Sequence, residues 1–526
     1  RVQILNDIKA NQFITVNYED AQEISKSTSS YPLVFNSFTD TLAIYKHKEN
    51  IYDDFKYELL LPHKTSQFGP GIAVGDLNGD GLDDFYVGAA SKYPGGLFFQ
   101  ESDGGFTQQK TKILIEDRHY EDIGALIFDA DSDGDNDLYI VSGGNEFKPN
   151  SKMLQDRLYI NRGNGNFVKS KFALPAIIAS GSRVTAEDFD KDGDLDLFVG
   201  GRLIPANYPY PVNSYLLENV SKPGRPQFKI NEKNASKFSK LGLVTTSLWL
   251  DYDNDGWKDL FVSGEWMPIT VFKNEKGSFK EVTKELGLSE TVGWWFSLSA
   301  GDFDNDGDSD IICGNLGLNY KYKANKDETF DIYLNDFDGN NINDIVLSYY
   351  NDGEKYPVRG RECSSQQMPH IKKKYETYNE YSTATLTDVY DEDKLEKGIH
   401  YQVKSFASMY LENTNNSFKQ HILPNEVQIS PINQILIKDF DKDGSLDAIT
   451  AGNLFASEVE TPRADAGYGM FLKGDGKGDL KPMPPNLSGF YTNGDVKDME
   501  LIKIKGIEYV ISVKNNDFLQ FIKINN

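Results

Sequence analysis

One acidic nine-residue pattern occurs seven times in this 526-residue chain: Asp-x-Asp/Asn-x-Asp/Asn-Gly-x-x-Asp, with one Asn in the Gly position. The first copy is Asp76, Asn78, Asp80, Leu82, Asp84, and the second Asp129, Asp131, Asp133, Asp135, Asp137. The third is Asp188, Asp190, Asp192, Asp194, Asp196, and the fourth Asp251, Asp253, Asp255, Trp257, Asp259. The fifth is Asp302, Asp304, Asp306, Asp308, Asp310, and the sixth Asp336, Asp338, Asn340, Ile342, Asp344. The seventh is Asp439, Asp441, Asp443, Ser445, Asp447. Positions 1, 3, 5 and 9 hold 26 Asp and two Asn, close to the whole net charge of −25.

The spacing has a chemical reason. Ca²⁺ takes six to eight hard oxygens in a flexible shell. Side chains at positions 1, 3 and 5 of a tight loop converge on one point, and Asp at position 9 closes the shell. Position 6 must turn with φ > 0, which suits Gly; the sixth copy has Asn341 there. Position 7 needs only its carbonyl, and its side chain varies freely. Clusters this acidic repel themselves unless a counter-ion is bound. Seven Ca²⁺ would move the formal charge from −25 to −11. The sixth site is expected to be weakest, because Asn340 and Asn341 replace Asp and Gly.

An EF-hand needs Glu at position 12 and flanking helices. Position 12 of the first copy is Val87, and the flanks read as short apolar strands, such as GIAVG before and DFYVG after. Each loop therefore joins two strands, A and B, as a hairpin. A second hairpin, C–D, follows: LFFQESDGGF, LYINRGNGNF, TVFKNEKGSF and MYLENTNNSF, with looser versions at 215–228 and 470–480. First-loop spacings are 53, 59, 63, 51, 34 and 103 residues. Four antiparallel strands repeated at this interval predict an all-β fold, a β-propeller. DMELIKI and EYVISV add an eighth A–B pair without the acidic pattern, and DFLQFIKI its C strand. Eight blades are expected, or seven, because 34 residues barely hold the fifth. FKYELLLP (55–62) is expected to supply the missing D strand and close the ring, with residues 21–54 as linker and 55–526 as propeller. Residues 358–402 lack strand alternation. Met368, Ile371, Tyr375 and Tyr378 stand at helical spacing, predicting a small helical insertion.

The charge argues against a nucleic-acid partner. Two cysteines, Cys313 and Cys363, are too few for a disulfide scaffold. No apolar run is long enough to span a membrane as a helix. The six histidines are scattered, and no Ser-His-Asp, HExxH, P-loop or CxxC pattern occurs.

The loops resemble the FG-GAP or VCBS repeats of integrin-α-like propellers. GGRLIPANYPYP, GEWMPITVF, GWWFSLSAGDFDNDGD and GNLGLN are similar to the C-terminal half of VCBS-repeat surface proteins of Bacteroidota. Residues 1–20 resemble the tail of the ASPIC/UnbV segment of those proteins. The resemblance implies export, often as a lipoprotein, and a partner at a TonB-dependent outer-membrane complex.

Polar and aromatic residues just after the B strands form a candidate ligand face near the central channel. They are Asn145, Glu146, Arg202, Glu265, Trp266, Asn315 and Asn453, with Tyr208, Tyr210, Arg463 and Asp465 beside them. The alternative is that they cap the channel. The expected function is a calcium-stabilised surface module binding a protein or glycan. A polysaccharide lyase or hydrolase using Arg202 and Glu265 is the runner-up.

Overall fold

The computed structural model describes residues 3, 5, 11–21, 33–38, 42–414 and 417–525. The chain divides into two units, Arg1–Leu33 and Val34–Asn526. In the first, Tyr18–Asp20 form a 3₁₀ turn. Part of the ASPIC/UnbV-like stretch lies outside the described residues.

In the second unit, alternating apolar residues and tight acidic turns build A–B hairpins in one register. The residue before position 1 always faces position 9: Gly75 opposite Asp84, Phe128 opposite Asp137, Leu250 opposite Asp259, Lys438 opposite Asp447. C strands pair onto the B strands and D strands onto C, so each of the seven ring sheets reads A-B-C-D. Blade one spans Ile72–Gln109, blade two Asp122–Lys169, blade three Ser180–Ile230 and blade four Leu243–Glu281. Blade six spans Gln434–Met483, and blade seven begins at Val496. Leu, Ile, Val and Phe from the facing sheets fill the space between blades. Phe85, Val87 and Phe98 of blade one, for example, pack on Ile502, Ile511 and Phe521 of blade seven.

Among the described residues eight antiparallel sheets form, each of four strands with a fifth short strand, Gly293–Trp294, added to blade four, and seven of them make the ring. The A strands touch in a closed cycle from blade one through blade seven and back. Blade five is interrupted. Its A and B strands are Ser297–Gly301 and Asp310–Gly314, and its C and D strands are Met409–Asn413 and Phe418–Ile422. The eighth sheet lies between them in sequence: Phe330–Asn335, Asp344–Asn351, Glu354–Pro357 and Ile399–Val403. The short 34-residue spacing is thus the distance from blade five into an inserted sheet, and the sixth acidic loop belongs to that insertion.

The expected helical insertion is part of this larger one. Five short helices run from Arg361 to Lys397. Pro369 breaks the stretch read as continuous, because it cannot donate to the helix ladder. Met368 and Ile371 are fully buried on Tyr333, Phe337 and Val346 of the inserted sheet. The helices therefore pack on their own sheet.

Ring closure differs from the expectation. The strand completing blade seven is Phe35–Phe38, paired with Gln520–Ile524. Residues 55–62 form no strand. The Asp54 carboxylate accepts hydrogen bonds from the Thr65 amide and the Ser66 hydroxyl, fixing this segment as a turn. Leu60 and Leu61 then bury beside Phe330 and Leu347. Residues 21–54 are accordingly more than a linker. Phe35 is fully buried among Phe440, Phe471 and Phe490.

Candidate metal loops and the opposite face

All seven acidic loops are wound by the same hydrogen bonds. The position-1 carboxylate accepts from the amide of position 6, at 2.8–3.2 Å in every copy. The position-5 side chain accepts from the amide of position 7, at 2.7–3.3 Å. Position 6 has φ > 0 throughout, Asn341 included, as the spacing requires. Position 4 also has φ > 0, at Gly79, Ser132, Lys191, Asn254, Asn305, Gly339 and Lys442. Its mixed residue types hid that constraint from the sequence. Position 2 is a buried apolar plug: Leu77, Ala130, Phe189, Tyr252, Phe303, Phe337, Phe440.

The position-9 aspartates are at most 1% exposed. In six of the seven copies one oxygen accepts the amide of position 2, as in Asp84 with Leu77 (2.9 Å) and Asp447 with Phe440 (3.0 Å). The other accepts the amide at the end of strand C, as in Asp137 with Asn161 and Asp259 with Asn274. Burial pushes Asp84, Asp137, Asp259 and Asp344 up to about 7 and Asp196 up to about 8. Oxygens of Asp131, Asp190, Asp253 and Asp302 are buried without a hydrogen-bond partner. Carboxylate oxygens of Asp129, Asp131 and Asp137, and of Asp188, Asp190 and Asp196, lie within 4.8 Å of one another. Comparable groups form at Asp251–Asp255, Asp302–Asp306 and Asp336, Asp338, Asp344. Hard, converging, under-bonded oxygens fit a Ca²⁺ donor set. In blades four and six an ammonium reaches carboxylates of the same loops: Lys273 at Asp253 and Asp255, Lys473 at Asp441 and Asp443.

A side-chain latch that sequence reading missed joins blades one to five each to the blade before it. Asn161, Asn219, Asn274 and Asn413 end their C strands. Each donates to the position-2 carbonyl of the preceding blade's loop, at 2.8–3.2 Å. Each also donates to a carbonyl of its own loop. Gln100 serves blade one, reaching Lys503 of blade seven. The signal was present in YIN, LEN, FKN and LEN at matching places.

At the ends of the B strands the candidate ligand residues meet mostly one another. Arg202 Nη2 donates to Glu265 Oε1 at 2.6 Å, and the Tyr208 hydroxyl donates to Glu265 Oε2 at 2.9 Å. Trp266 Nε1 donates to the Tyr208 hydroxyl, and His63 Nε2 stands 2.8 Å from Glu265 Oε1. All five are at most 5% exposed. Burial, the largest single effect, would raise the Glu265 carboxyl, but the Arg202 guanidinium, His63 and the Tyr208 hydroxyl together outweigh it and lower it to about 2. Trp266 adopts φ +62°, held there by the irregular register between Glu265 and Met267.

Asn145 braces Asp54, Glu58 and the amide of Ala206. Asn315 spans Trp294, Ser405 and Ala407, and Asn453 spans Gly467 and Gly494. Glu146 accepts from Asn50 at 2.7 Å. Asn145, Asn315 and Asn453 thus cap the ends of the blades, each satisfying backbone groups there. The channel offers little room. Phe68, Arg183, Phe296 and Lys497 help enclose a cavity of about 70 Å³. Tyr210, Arg463 and Asp465 remain accessible, the last two paired at 2.7 Å. Cys313 is buried and Cys363 half-buried; both are free thiols.

The fold and loops define a β-propeller carrying FG-GAP repeats. Residues 129–199 and 251–313 match the FG-GAP-like repeat, and residues 68–99 the FG-GAP repeat. Cartilage acidic protein 1 of Xenopus tropicalis is 28% identical over 214 residues, 40% of this chain and 31% of that protein. The Homo sapiens protein is 27% identical over 40% of this chain and 30% of its own length. The match thus spans under a third of these curated relatives. Among solved structures, the V. cholerae biofilm matrix protein Bap1 aligns with a TM-score of 0.35 at 11% identity, covering 92% of this chain and 91% of its own. Saccharomyces cerevisiae Sqt1 aligns at 0.39 and 11%, covering 88% and 97%. No helix among the described residues is long and apolar enough to cross a membrane.

Proposed function

We propose that this propeller is a calcium-stabilised binding and scaffolding module that works outside the cytoplasm. The observation that supports it most is the seven identically wound loops: carboxylate oxygens converge in copies two to six, and copies two to five hold buried carboxylate oxygens without a hydrogen-bond partner. The carboxylates of positions 1, 3, 5 and 9 and the carbonyl of position 7 would hold Ca²⁺. The bound ion supplies positive charge and closes each A–B hairpin. Binding the folded state alone, it stabilises by mass action. The FG-GAP repeats and the extracellular-type relatives support a place at the cell surface. A surface subunit of an outer-membrane transport or assembly complex is the setting we favour.

The lyase or hydrolase reading loses its anchor residues. Arg202 and Glu265 are buried and bonded to each other, so Arg202→Ala should lower the melting temperature. Calorimetry with and without chelator tests the main reading: chelation should lower the melting temperature markedly. Reproducible polysaccharide cleavage, abolished by Arg202→Ala in a variant that keeps its melting temperature, would overturn it in favour of the enzyme.

A further inference from the structure

The sixth acidic loop stands apart from the others because its sheet is inserted into blade five. Together with blade three and residues 56–59, it walls a cleft of about 520 Å³. We propose that this cleft binds an oligosaccharide. The proposal rests on the reading of the chain as a binding module and names its ligand class.

The lining carries the argument. Besides Asn340 of the metal loop, five primary amides stand in it: Asn207, Asn341, Asn343, Gln366 and Gln367. A primary amide holds donor and acceptor in one plane, matching the adjacent hydroxyls of a sugar ring. Asn341 and Gln366 are exposed at the rim. Flat faces complete the set. Tyr57 is 61% exposed and stacks on Tyr52 at 5.5 Å with an 11° interplanar angle, so its position is fixed. The Tyr210 hydroxyl accepts from Asn343 Nδ2 at 3.0 Å, which orients the second ring across the cleft. Rigid aromatic faces receive the C–H face of a pyranose at low entropic cost.

Three charged residues line the cleft, Lys56, Glu58 and Asp344, and Asp344 is the buried position-9 carboxylate of the sixth loop. Glu58 is already used, accepting from Asn145 at 2.9 Å and from the Tyr208 amide at 2.8 Å. Lys56 lies at the edge, 5.8 Å over the Tyr57 ring. An amide-rich cleft with oriented tyrosines suits a neutral or mildly acidic glycan better than a charged peptide.

The test uses the full chain with Ca²⁺ present. An array of neutral and acidic oligosaccharides, with short peptides as a second set, finds the tightest probe, and titration calorimetry measures it. Tyr57→Ala and Gln366→Ala change exposed side chains and should leave the melting temperature unchanged. Each should weaken glycan binding roughly tenfold or more, as loss of an anchor does. Lys112→Ala, in the short helix Lys112–Glu116 between blades one and two, should bind like the wild type. Silence across the glycan set from folded protein overturns the proposal, as does glycan binding that both variants leave intact. Peptide binding lost in both variants overturns the ligand class. None of these results touches the calcium reading, which thermal stability tests separately.

Discussion

Single residues here act mainly by satisfying groups that the fold has buried. Asn274 donates to Phe189 O at 2.8 Å and Lys258 O at 3.0 Å, and accepts from Gly277 at 2.7 Å. Removing it leaves two carbonyls and an amide unpaired between blades three and four. Asn274→Ala should cost about 1–3 kcal/mol, read as a lower urea midpoint with an unchanged slope. Glu265 gives a pH signature. Its folded value, about 2, lies below the ordinary 4.5. A depressed carboxyl contributes stability that is full above its unfolded value and lost as pH falls through the folded one. The stability gap between wild type and Glu265→Gln should therefore hold steady above pH ~5 and shrink from about 4.5 towards 2. A gap that widens on acidification would refute the assignment of Arg202 as its dominant partner.

At the scale of elements, the hairpin is the unit, and the closing strand is the most consequential one. Phe35 sits at 0% exposure among three phenylalanines of blades six and seven. Phe35→Ala should cost about 3–5 kcal/mol and expose the edge of blade seven, measured as a lower unfolding midpoint and increased aggregation. The same change at Phe55, in the segment first expected to close the ring, should leave that edge paired. This contrast shows what sequence can and cannot carry. A–B loops and C–D hairpins were legible because their spacing is local and repeats. The closing strand was not, because FNSF pairs with residues almost 490 positions away and resembles nothing else in the chain. The insertion misled for a related reason: its acidic loop copies the repeat, but the strands completing blade five come back only at Met409. Of the polar and aromatic residues after the B strands, Arg202, Glu265 and Trp266 meet one another, with Tyr208. Their burial on one another, with His63 supplied from an unremarkable segment, depends on distant contacts that no spacing reveals.

For the whole molecule, the ring concentrates negative charge and must neutralise it. Lys273 and Lys473 already bridge two of the loops. Lys473→Ala should therefore raise Ca²⁺ affinity at the blade-six loop, since an ammonium no longer competes for Asp441 and Asp443; calcium titration with a loop-specific probe reads this directly. The inter-blade latches tie blades one to five each to the blade before it, so the sites and the ring should be lost together. The central claim is that Ca²⁺ holds this ring together. The most direct measurement counts calcium bound to the purified chain at millimolar free ion and follows the melting temperature through chelation. Extracellular modules bind at roughly 10⁻⁴–10⁻³ M; the account predicts about seven ions per chain in that range and a marked fall in melting temperature when they are removed. Fewer than about five ions, or an unchanged melting temperature in excess chelator, would contradict it.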